Sequence, residues 1–293
     1  MRAFLTGATG YIGSHLARSL LERGAAVASL VRGTPSKTFG DMQCYLHDGS
    51  PKSIVAAISD FRPSIVFHLA AAATTQDNIE SISGTITANT TLGSYVLEAA
   101  SAAGCRYFVN TGTYWQYGED GCGTPNTLYA ACKLAFEPIL KFYAHRHSLS
   151  TVSLVLYDVY GPADRRRKFL PALIRAAIEG QVVMATGGEQ LVDFVHIDDV
   201  CRGYVQAAEL LEQQSVPGHG SFGLDSGYRP TLREAVQQLE SIVGRGLVEW
   251  GRVPYPKHQI FKPVTLDRLP GWEPRLTLSA GLRALVEEEL QRR

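Results

Sequence analysis

Three glycines near the start of the chain constrain its fold more than any other feature. Gly7, Gly10 and Gly13 follow an apolar stretch at residues 1–5, which predicts a short buried strand. A helical pattern then covers residues 14–23. A strand, a glycine-rich turn and a helix in this order open a dinucleotide-binding βαβ unit, in which the helix N-terminus offers free N–H groups to phosphates.

The turn itself supplies the first candidate cofactor contacts. Its spacing is GxxGxxG rather than the GxGxxG of the usual fingerprint, and a tight turn without a ligand is the alternative interpretation. The first glycine permits a tight turn, the second lets the backbone approach a pyrophosphate, and the third lets the helix pack closely on the strand. We predict cofactor contacts at Gly7, Thr9, Gly10, Tyr11, Ile12 and Gly13.

Composition and charge exclude several classes of protein. The 293 residues are 45% hydrophobic, which suits one large domain or one domain with a smaller lobe. Basic and acidic residues balance at 28 each, and the only basic cluster lies at residues 165–168, so we predict no nucleic-acid partner. No apolar stretch is long enough to span a bilayer, and the first strand leaves no room for a signal peptide. Five cysteines without a CxxC spacing fit a reducing compartment, so we predict a cytoplasmic protein with no membrane association and no metal.

The end of the second predicted strand bears on the choice of cofactor. This strand covers residues 25–31 and is followed by Arg32, with Lys37 a few positions later. An NAD site of this type has an acidic residue here that binds the ribose 2′-hydroxyl. A guanidinium instead suits a 2′-phosphate through paired hydrogen bonds, so Arg32 favours NADP over NAD. The alternative is that Arg32 is only a solvated loop charge.

Two further strands complete the predicted cofactor site. Asp48 follows a strand at residues 43–46, where it contacts the adenine edge, caps a helix at residues 51–60, or does both. The strand at residues 64–69 leads into small residues that leave room for a cofactor, which makes Leu69, Ala70 and Ala71 candidate contacts. A structural role is the favoured interpretation of His68.

A tyrosine, a lysine and a threonine form the candidate catalytic group. Tyr129 and Lys133 are four positions apart in a predicted helix and therefore lie on one face. The neighbouring ammonium is expected to lower the pKa of the phenol, so that Tyr129 exchanges a proton near neutral pH. Thr113 follows a predicted strand at residues 106–110, at the sheet edge where active-site residues of open α/β sheets collect, and its hydroxyl is placed to hold a carbonyl oxygen.

The chain resembles the extended short-chain dehydrogenases/reductases, in particular their nucleotide-sugar epimerase, dehydratase and reductase members. The matching stretches keep the family's order and cover nearly the whole chain: TGATGYIGSHL, HLAAAA, TYWQYG, LYAACK, DVYGP, DFVHIDDV, FGLDSG and PGWEPRLTLSAGL. The resemblance implies a Rossmann-type doubly wound parallel sheet at residues 1–160, with residues 190–225 returning to it. It also implies a smaller C-terminal substrate-binding lobe at residues 161–189 and 226–293.

The resemblance also implies residue roles. Tyr129 is the acid/base, Lys133 binds the nicotinamide ribose, and Thr113 is the catalytic hydroxyl because it precedes Tyr117 by four positions. The lobe after residue 160 holds the nucleotide diphosphate. Candidate substrate contacts are Thr113, Tyr114, Arg166, Arg167 and Lys168, although solvated loop charges explain the basic residues nearly as well.

Departures from the family pattern guide the choice of reaction. The stretch after Thr113 lacks the acidic pair that 4,6-dehydratases carry, which argues against elimination of water. Tyr157 and Val192 occupy stretches where the family often has arginine. The stretches TYWQYG and LYAACK resemble those of 4-ketoreductases such as the CDP-abequose and CDP-paratose synthases.

We therefore expect NADPH-dependent reduction of a nucleotide-linked 4-keto-deoxyhexose, with the nucleotide left open among CDP, dTDP, GDP and UDP. An NAD-dependent nucleotide-sugar 4-epimerase is the alternative, and a non-catalytic NADP-binding regulator is the rival from another class. Members of the family often dimerise through two helices, here around residues 91–103 and 129–147, so the resemblance implies a homodimer.

Overall fold

The computed structural model describes residues 1–33, 40–74, 78–119, 121–147, 149–257 and 259–291. Lys37 lies outside these ranges. The strands are β1 (Arg2–Thr6), β2 (Ala26–Val31), β3 (Gln43–Leu46), β4 (Ile65–His68), β5 (Tyr107–Thr113), β6 (Ser150–Leu156), β7 (Asp158–Tyr160), β8 (Val183–Met184), β9 (Phe194–His196), β10 (His219–Leu224) and β11 (Val248–Glu249). The α-helices are α1 (Tyr11–Glu22), α2 (Pro51–Phe61), α3 (Ile79–Ile86), α4 (Leu92–Ala102), α5 (Leu128–Arg146), α6 (Phe169–Glu179), α7 (Ile197–Glu212), α8 (Leu232–Val243) and α9 (Leu278–Gln291).

The central sheet confirms the predicted fold class. Its seven strands are all parallel and lie in the order β10-β6-β5-β4-β1-β2-β3. The strand order reverses between β1 and β4, which is the switch point where open α/β sheets bind ligands beyond the carboxyl ends of their strands. The chain is therefore a Rossmann-type doubly wound sheet.

Apolar side chains point alternately to the two faces of the sheet, and a hydrophobic core lies on each face. Leu5 belongs to the core that includes α1 and α7, whereas its neighbour Phe4 belongs to the core that includes α2, α4 and α5. Successive strand side chains point to opposite faces, so apolar strands of this kind need helices on both sides. The sheet is accordingly buried between two helical layers.

A third hydrophobic cluster lies outside the sheet. It joins α6, α8 and α9 through side chains such as Leu173, Leu239 and Leu282, and it includes Tyr160 at the end of β7. Two short parallel pairs, β7 with β9 and β8 with β11, belong to the same part of the chain. The short strands β7, β9 and β11, of two or three residues each, were not expected from the sequence.

Several element boundaries differ from the sequence-based expectations. The first helix begins at Tyr11 rather than at residue 14, because Gly10 already occupies the N-cap position. The sequence also has a helical pattern at residues 84–103. In the structure this helical segment begins at Ile79 and contains a π-helical turn at Thr87–Thr91 between α3 and α4. The sequence predicts Thr231 as the cap of a helix that ends at residue 243; the structure confirms this cap of α8, and Glu234 completes a capping box.

Within the described ranges, no helix has both the length and the apolar character that crossing a bilayer requires.

Candidate active site

The glycine turn is shaped by backbone contacts that a side chain would block. Gly7 has φ +78°, and a Cβ added there would lie 2.7 Å from the amide nitrogen of Ala70. A Cβ on Gly13 would lie 2.1 Å from the carbonyl oxygen of Gly7. No side chain caps the N-terminus of α1 at Gly10, and its first turn contains no acidic residue. This arrangement fits the pyrophosphate of a dinucleotide, because close backbone approach and uncapped helix N–H groups are what that anion needs.

A cavity of about 660 Å³ opens beyond the carboxyl ends of β1, β2 and β4. This volume is typical of cofactor and ligand sites. We call it the dinucleotide cleft. Its lining includes Thr6, Gly7, Thr9, Gly10, Leu30, Val31, Arg32, His47, Gly49, Leu69, Ala70, Ala71, Ala72, Gly84, Thr87, Ala88, Thr91, Leu92 and Tyr95. Seven predicted cofactor contacts are thus brought together: Gly7, Thr9, Gly10, Arg32, Leu69, Ala70 and Ala71.

Tyr11 is a predicted contact that does not line this cleft. Its ring lies under the guanidinium of Arg166 at 4.2 Å, and its hydroxyl is buried with no hydrogen-bond partner among the described residues. Burial raises the pKa of this phenol far above its usual range. Ile12 and Gly13, in the same first turn of α1, also lie outside the cleft lining.

Asp48 lies between two residues that line the cleft but does not line it. Its carboxylate accepts a hydrogen bond from the backbone N–H of Ser50 at 2.8 Å. Hydrogen bonds from Ser50 and Ser53 lower the pKa of Asp48 to about 2. The expectation that Asp48 caps α2 is wrong: Ser50 is the N-cap, because Pro51 occupies the first helical position.

The loop after β4 is held in place by buried side chains. Thr6 Oγ1 accepts a hydrogen bond from the N–H of Ala70 at 3.2 Å and lies 2.8 Å from Nδ1 of His68. Burial, with a smaller contribution from the charge of Lys133, lowers the pKa of His68 to about 3. A neutral imidazole at the end of β4 supports the structural interpretation, although Nε2 has no partner among the described residues.

Asn89 is a buried residue beside the dinucleotide cleft that sequence reasoning did not assign. It lies in the π-helical turn, and its side chain is fully buried. Its Nδ2 donates to the carbonyl oxygens of Thr85 at 2.9 Å and of Ala72 at 3.1 Å, and its Oδ1 accepts from the N–H of Ala72 at 3.2 Å. The available signal was an asparagine, a poor helix former, within the helical pattern at residues 84–103. The π-turn that contains it is a feature that often marks functional sites.

Thr113 lies at the carboxyl end of β5, where it begins a 3₁₀ turn at Tyr114–Tyr117. Its hydroxyl accepts a hydrogen bond from the N–H of Trp115 at 3.4 Å, and its own N–H donates to Oε1 of Gln116 at 3.1 Å. The hydroxyl of Thr111, on the same strand, lies 2.6 Å from the hydroxyl of Tyr204. Thr113, rather than Thr111, is therefore the threonine at the carboxyl end of β5, as the sequence predicted.

Tyr129 and Lys133 lie one turn apart near the start of α5. The side chain of Thr127 caps this helix by accepting from the N–H of Ala130 at 3.1 Å. Tyr129 is partly buried, whereas Lys133 is only 1% exposed. Burial lowers the pKa of Lys133 to about 8, against the opposing effect of the Glu137 carboxylate.

The expectation that Lys133 lowers the pKa of Tyr129 is wrong for this structure. Burial raises the pKa of Tyr129 to about 12 instead, because the phenolate loses its hydration. At neutral pH the phenol therefore keeps its proton. Such a group is a proton donor, which is the role of a general acid in the reduction of a carbonyl.

A second cavity, of about 230 Å³, lies beside the 3₁₀ turn. We call it the lobe cavity. Two of the predicted substrate contacts, Tyr114 and Lys168, are among its lining residues, together with Asp158. Lys168 Nζ lies 3.9 Å from Oδ1 of Asp158. Burial lowers the pKa of Lys168 and raises that of Asp158, and each group partly offsets the shift of the other.

The structure does not bring the two predicted arginines into the lobe cavity. Arg166 donates to both oxygens of Asp164, from Nε at 2.8 Å and from Nη2 at 2.7 Å, and it also donates to the carbonyl oxygen of Val159. Arg167 is exposed. Arg166 therefore joins the loop after β7 to Tyr11 of α1, with its Nε and Nη2 atoms already hydrogen-bonded.

Comparison with known proteins identifies similar sequences and structures. The model of the NAD dependent epimerase/dehydratase family matches residues 3–220. A probable UDP-glucuronate 4-epimerase from Rhizobium meliloti is 26% identical over 98% of this chain and 96% of its own length. A CDP-abequose synthase from Salmonella typhimurium is 25% identical over 97% and 96%. The structure of MoeE5 in complex with UDP-glucuronic acid and NAD has a TM-score of 0.87 and 27% identity, covering both chains completely.

Proposed function

This chain belongs to the NAD dependent epimerase/dehydratase family, and we propose that within it the protein is an NADPH-dependent 4-ketoreductase of nucleotide sugars. The reaction reduces a nucleotide-linked 4-keto-deoxyhexose to the 4-hydroxy sugar. The observation that carries this proposal is the partly buried phenol of Tyr129, one helical turn before Lys133 on α5, which burial keeps protonated at neutral pH.

The roles of the catalytic residues follow from that phenol. A bound nicotinamide supplies the hydride that adds to the carbonyl carbon. Tyr129 donates its proton to the carbonyl oxygen, so that hydride and proton together yield the alcohol. The hydroxyl of Thr113 orients the same oxygen, and the ammonium of Lys133 stabilises the phenolate that remains.

The cleft supports NADPH as the cofactor through Arg32. This residue lines the dinucleotide cleft at the carboxyl end of β2, where an NAD site would carry an acidic residue. A guanidinium there pairs favourably with the negatively charged 2′-phosphate of NADPH, whereas the 2′-hydroxyl of NADH carries no charge. Gly7, Gly10 and the N-terminus of α1 then hold the pyrophosphate.

The lobe cavity supports a nucleotide-sugar substrate. We assign the diphosphate to Lys168, the member of the basic cluster at residues 165–168 whose side chain lines this cavity. We assign the sugar to the region beside Thr113 and Tyr114. Residues 161–189 and 226–293 then form the substrate-binding lobe on a Rossmann domain of residues 1–160 and 190–225. The relatives named CDP-abequose synthase and UDP-glucuronate 4-epimerase both carry names of nucleotide-sugar enzymes.

A nucleotide-sugar 4-epimerase is the second candidate. It is favoured by the structure of MoeE5, which contains NAD, and by the relative from Rhizobium meliloti. An epimerase retains its cofactor and returns the hydride to the same sugar, whereas a reductase consumes one NADPH per turnover.

One experiment separates the two candidates. The purified protein is incubated with NADPH or NADH and a panel of CDP-, dTDP-, GDP- and UDP-linked 4-keto-deoxyhexoses, and the loss of absorbance of the reduced cofactor is followed. The reductase gives stoichiometric oxidation of NADPH with one of these sugars. No oxidation with any of them, combined with interconversion of UDP-sugar epimers, would establish the epimerase instead.

We also propose that the protein is a cytoplasmic homodimer that pairs through α4 and α5. These helices carry the exposed aromatic side chains Tyr95, at 43%, and Phe142, at 55%. Light scattering is expected to give twice the monomer mass, and a monomer at working concentration would remove this proposal.

A further inference from the structure

A buried carboxylate lies one helical turn beyond Lys133, at a position the proposed reaction does not use. Glu137 is 7% exposed and lies on the same face of α5. Its Oε2 is 2.9 Å from Nε2 of His219, at the start of β10. Its Oε1 is buried and has no hydrogen-bond partner among the described residues. A buried carboxylate with one unsatisfied oxygen is costly unless a nearby positive charge offsets it.

His219 fixes the orientation of this carboxylate. The Nδ1 atom of His219 lies 2.8 Å from the hydroxyl of Thr151, with which it pairs across β10 and β6. A carboxylate only accepts hydrogen bonds, so Nε2 of His219 carries the hydrogen that Glu137 receives. Both ring nitrogens are therefore engaged, and the imidazole has no freedom to turn away from Glu137.

Lys133 and Glu137 are an ammonium and a carboxylate that lie one helical turn apart on α5. Lys133 has Cys132 and Glu137 beside it on α5, and its charge also acts on the neutral His68 of β4. Glu137 faces His219 of β10 and acts on Tyr117 of the 3₁₀ turn. Thr151 of β6 carries no charge. Two described groups act on the Lys133 ammonium and favour its charge, namely the carboxylate of Glu137 and the thiol of Cys132.

We propose that Glu137 is the counter-charge that keeps Lys133 protonated, and that His219 is the positioning residue that holds this carboxylate in place. The inference rests on the proposed function, because the ammonium of Lys133 matters there for binding the nicotinamide ribose and for the phenol of Tyr129. Neither Glu137 nor His219 contacts a reacting atom in this scheme. Both act through Lys133.

The sign of the effect follows from burial. Burial has already lowered the pKa of Lys133 to about 8, and Glu137 opposes that shift. Without the carboxylate the pKa of Lys133 falls further, and the ammonium is lost at a lower pH. Each unit of this shift corresponds to roughly a tenfold change in the protonation equilibrium.

The test measures the affinity for NADPH by fluorescence titration across a pH series, independently of turnover. In the wild type, affinity is expected to fall as the pH rises through about 8, as Lys133 loses its proton. In Glu137→Gln the midpoint of this fall is expected about one pH unit lower. Its affinity at about pH 8.5 is then roughly tenfold weaker than that of the wild type, with less than about a twofold difference near pH 6.

Matched variants give the result its meaning. Glu98→Gln removes a carboxylate from neighbouring helix α4, where it accepts a hydrogen bond from the partly buried Tyr143 at 2.7 Å, and it is expected to leave the midpoint unchanged. Lys133→Met is expected to abolish the pH dependence. A midpoint in Glu137→Gln equal to that of the wild type, or a pH dependence that survives in Lys133→Met, overturns the inference.

A second variant covers the case in which Glu137→Gln does not fold. Glu137→Asp keeps the charge but withdraws it by one methylene, and it is expected to move the midpoint in the same direction by a smaller amount. An unchanged midpoint in that variant also overturns the inference. Failure of the proposed function is distinguishable, because a wild-type protein that binds neither NADPH nor NADH at any pH rejects that function before any variant is compared.

Discussion

The carboxamide of Asn89 forms two hydrogen bonds with the backbone of Ala72, one with its carbonyl oxygen and one with its N–H. Its Nδ2 donates to the carbonyl oxygen at 3.1 Å and its Oδ1 accepts from the N–H at 3.2 Å. Asn89 lies in the π-helical turn, and Ala72 lies in the loop after β4, so this pair joins two walls of the dinucleotide cleft. The extra residue of a π-turn changes which side chains face the sheet, and here it places a polar group where the loop needs one.

Replacing Asn89 by leucine is expected to weaken both stability and cofactor binding. The change keeps the branched shape but removes both hydrogen bonds to Ala72, so that its N–H loses this partner while its carbonyl oxygen keeps the N–H of Thr74, at a cost of about 1–3 kcal/mol. Urea unfolding measures the loss, and titration with NADPH measures the accompanying drop in affinity. Ser94→Ala is the control, because Ser94 donates only to the carbonyl of Thr90 within the same helical segment. Equal effects of the two changes would contradict a specific role of Asn89 in the cleft.

Replacing Tyr129 by phenylalanine is expected to lower kcat by about 100-fold or more, because a positioned general acid contributes roughly that much. Binding of NADPH should change little. Tyr117→Phe is the matched control, since its phenol lies 3.2 Å from the hydroxyl of Ser221 on β10. Steady-state kinetics with the 4-keto sugar as substrate distinguish the two variants, and full activity of Tyr129→Phe would remove the assignment.

The wild-type rate is expected to depend on pH through Lys133 rather than Tyr129. The phenol, with a pKa of about 12, stays protonated throughout the range in which Lys133, with a pKa of about 8, loses its proton. The rate should therefore fall as the pH rises through about 8. A pH–rate profile with a stopped assay checks this, and a rate that instead increases with pH across that range would contradict it.

Replacing Arg32 by alanine is expected to reduce the preference for NADPH over NADH. Losing a charge-assisted pair with the 2′-phosphate costs about 1.5–3 kcal/mol, which is roughly a 10- to 100-fold loss of NADPH affinity with NADH little affected. Isothermal titration with both cofactors measures the ratio. Arg23→Ala is the control, because Arg23 is the C-cap of α1, at the end away from the glycine turn. It should leave the ratio of the two affinities unchanged. A wild type that prefers NADH would show that Arg32 is only a surface charge.

The burial of His68 is expected to make stability depend on acid pH. Its folded-state pKa of about 3 is below the ordinary value of 6.5, so the unfolded chain binds the extra proton between these values. Stability is therefore fully present above about pH 6.5 and is lost as the pH falls towards 3, by up to several kcal/mol. Urea unfolding of the wild type and of His68→Gln checks this, with His15→Gln on α1 as control. An identical slope in His68→Gln would assign the dependence to other groups.

The sequence alone determined the elements that have a local cause. Apolar runs predicted the strands of a parallel sheet, and the glycines of the first turn predicted a βαβ opening because only glycine fits there. A Cβ on Gly13 would meet the backbone of Gly7, six positions away along the chain. Thr231 was recognisable as the cap of α8 because a cap acts on its own helix. Such interactions span a few residues and leave a readable pattern.

Only the tertiary structure decided the features that depend on distant partners. His219 meets Glu137 across 82 positions of the chain, and the pKa of Tyr129 rises because the fold buries it. The spacing of Tyr129 and Lys133 indicated a shared helix face, but not whether burial or charge would dominate. Local sequence specifies which groups are present and on which face they lie. Desolvation and pairing depend on everything packed around them, and that packing exists only when the whole chain has folded.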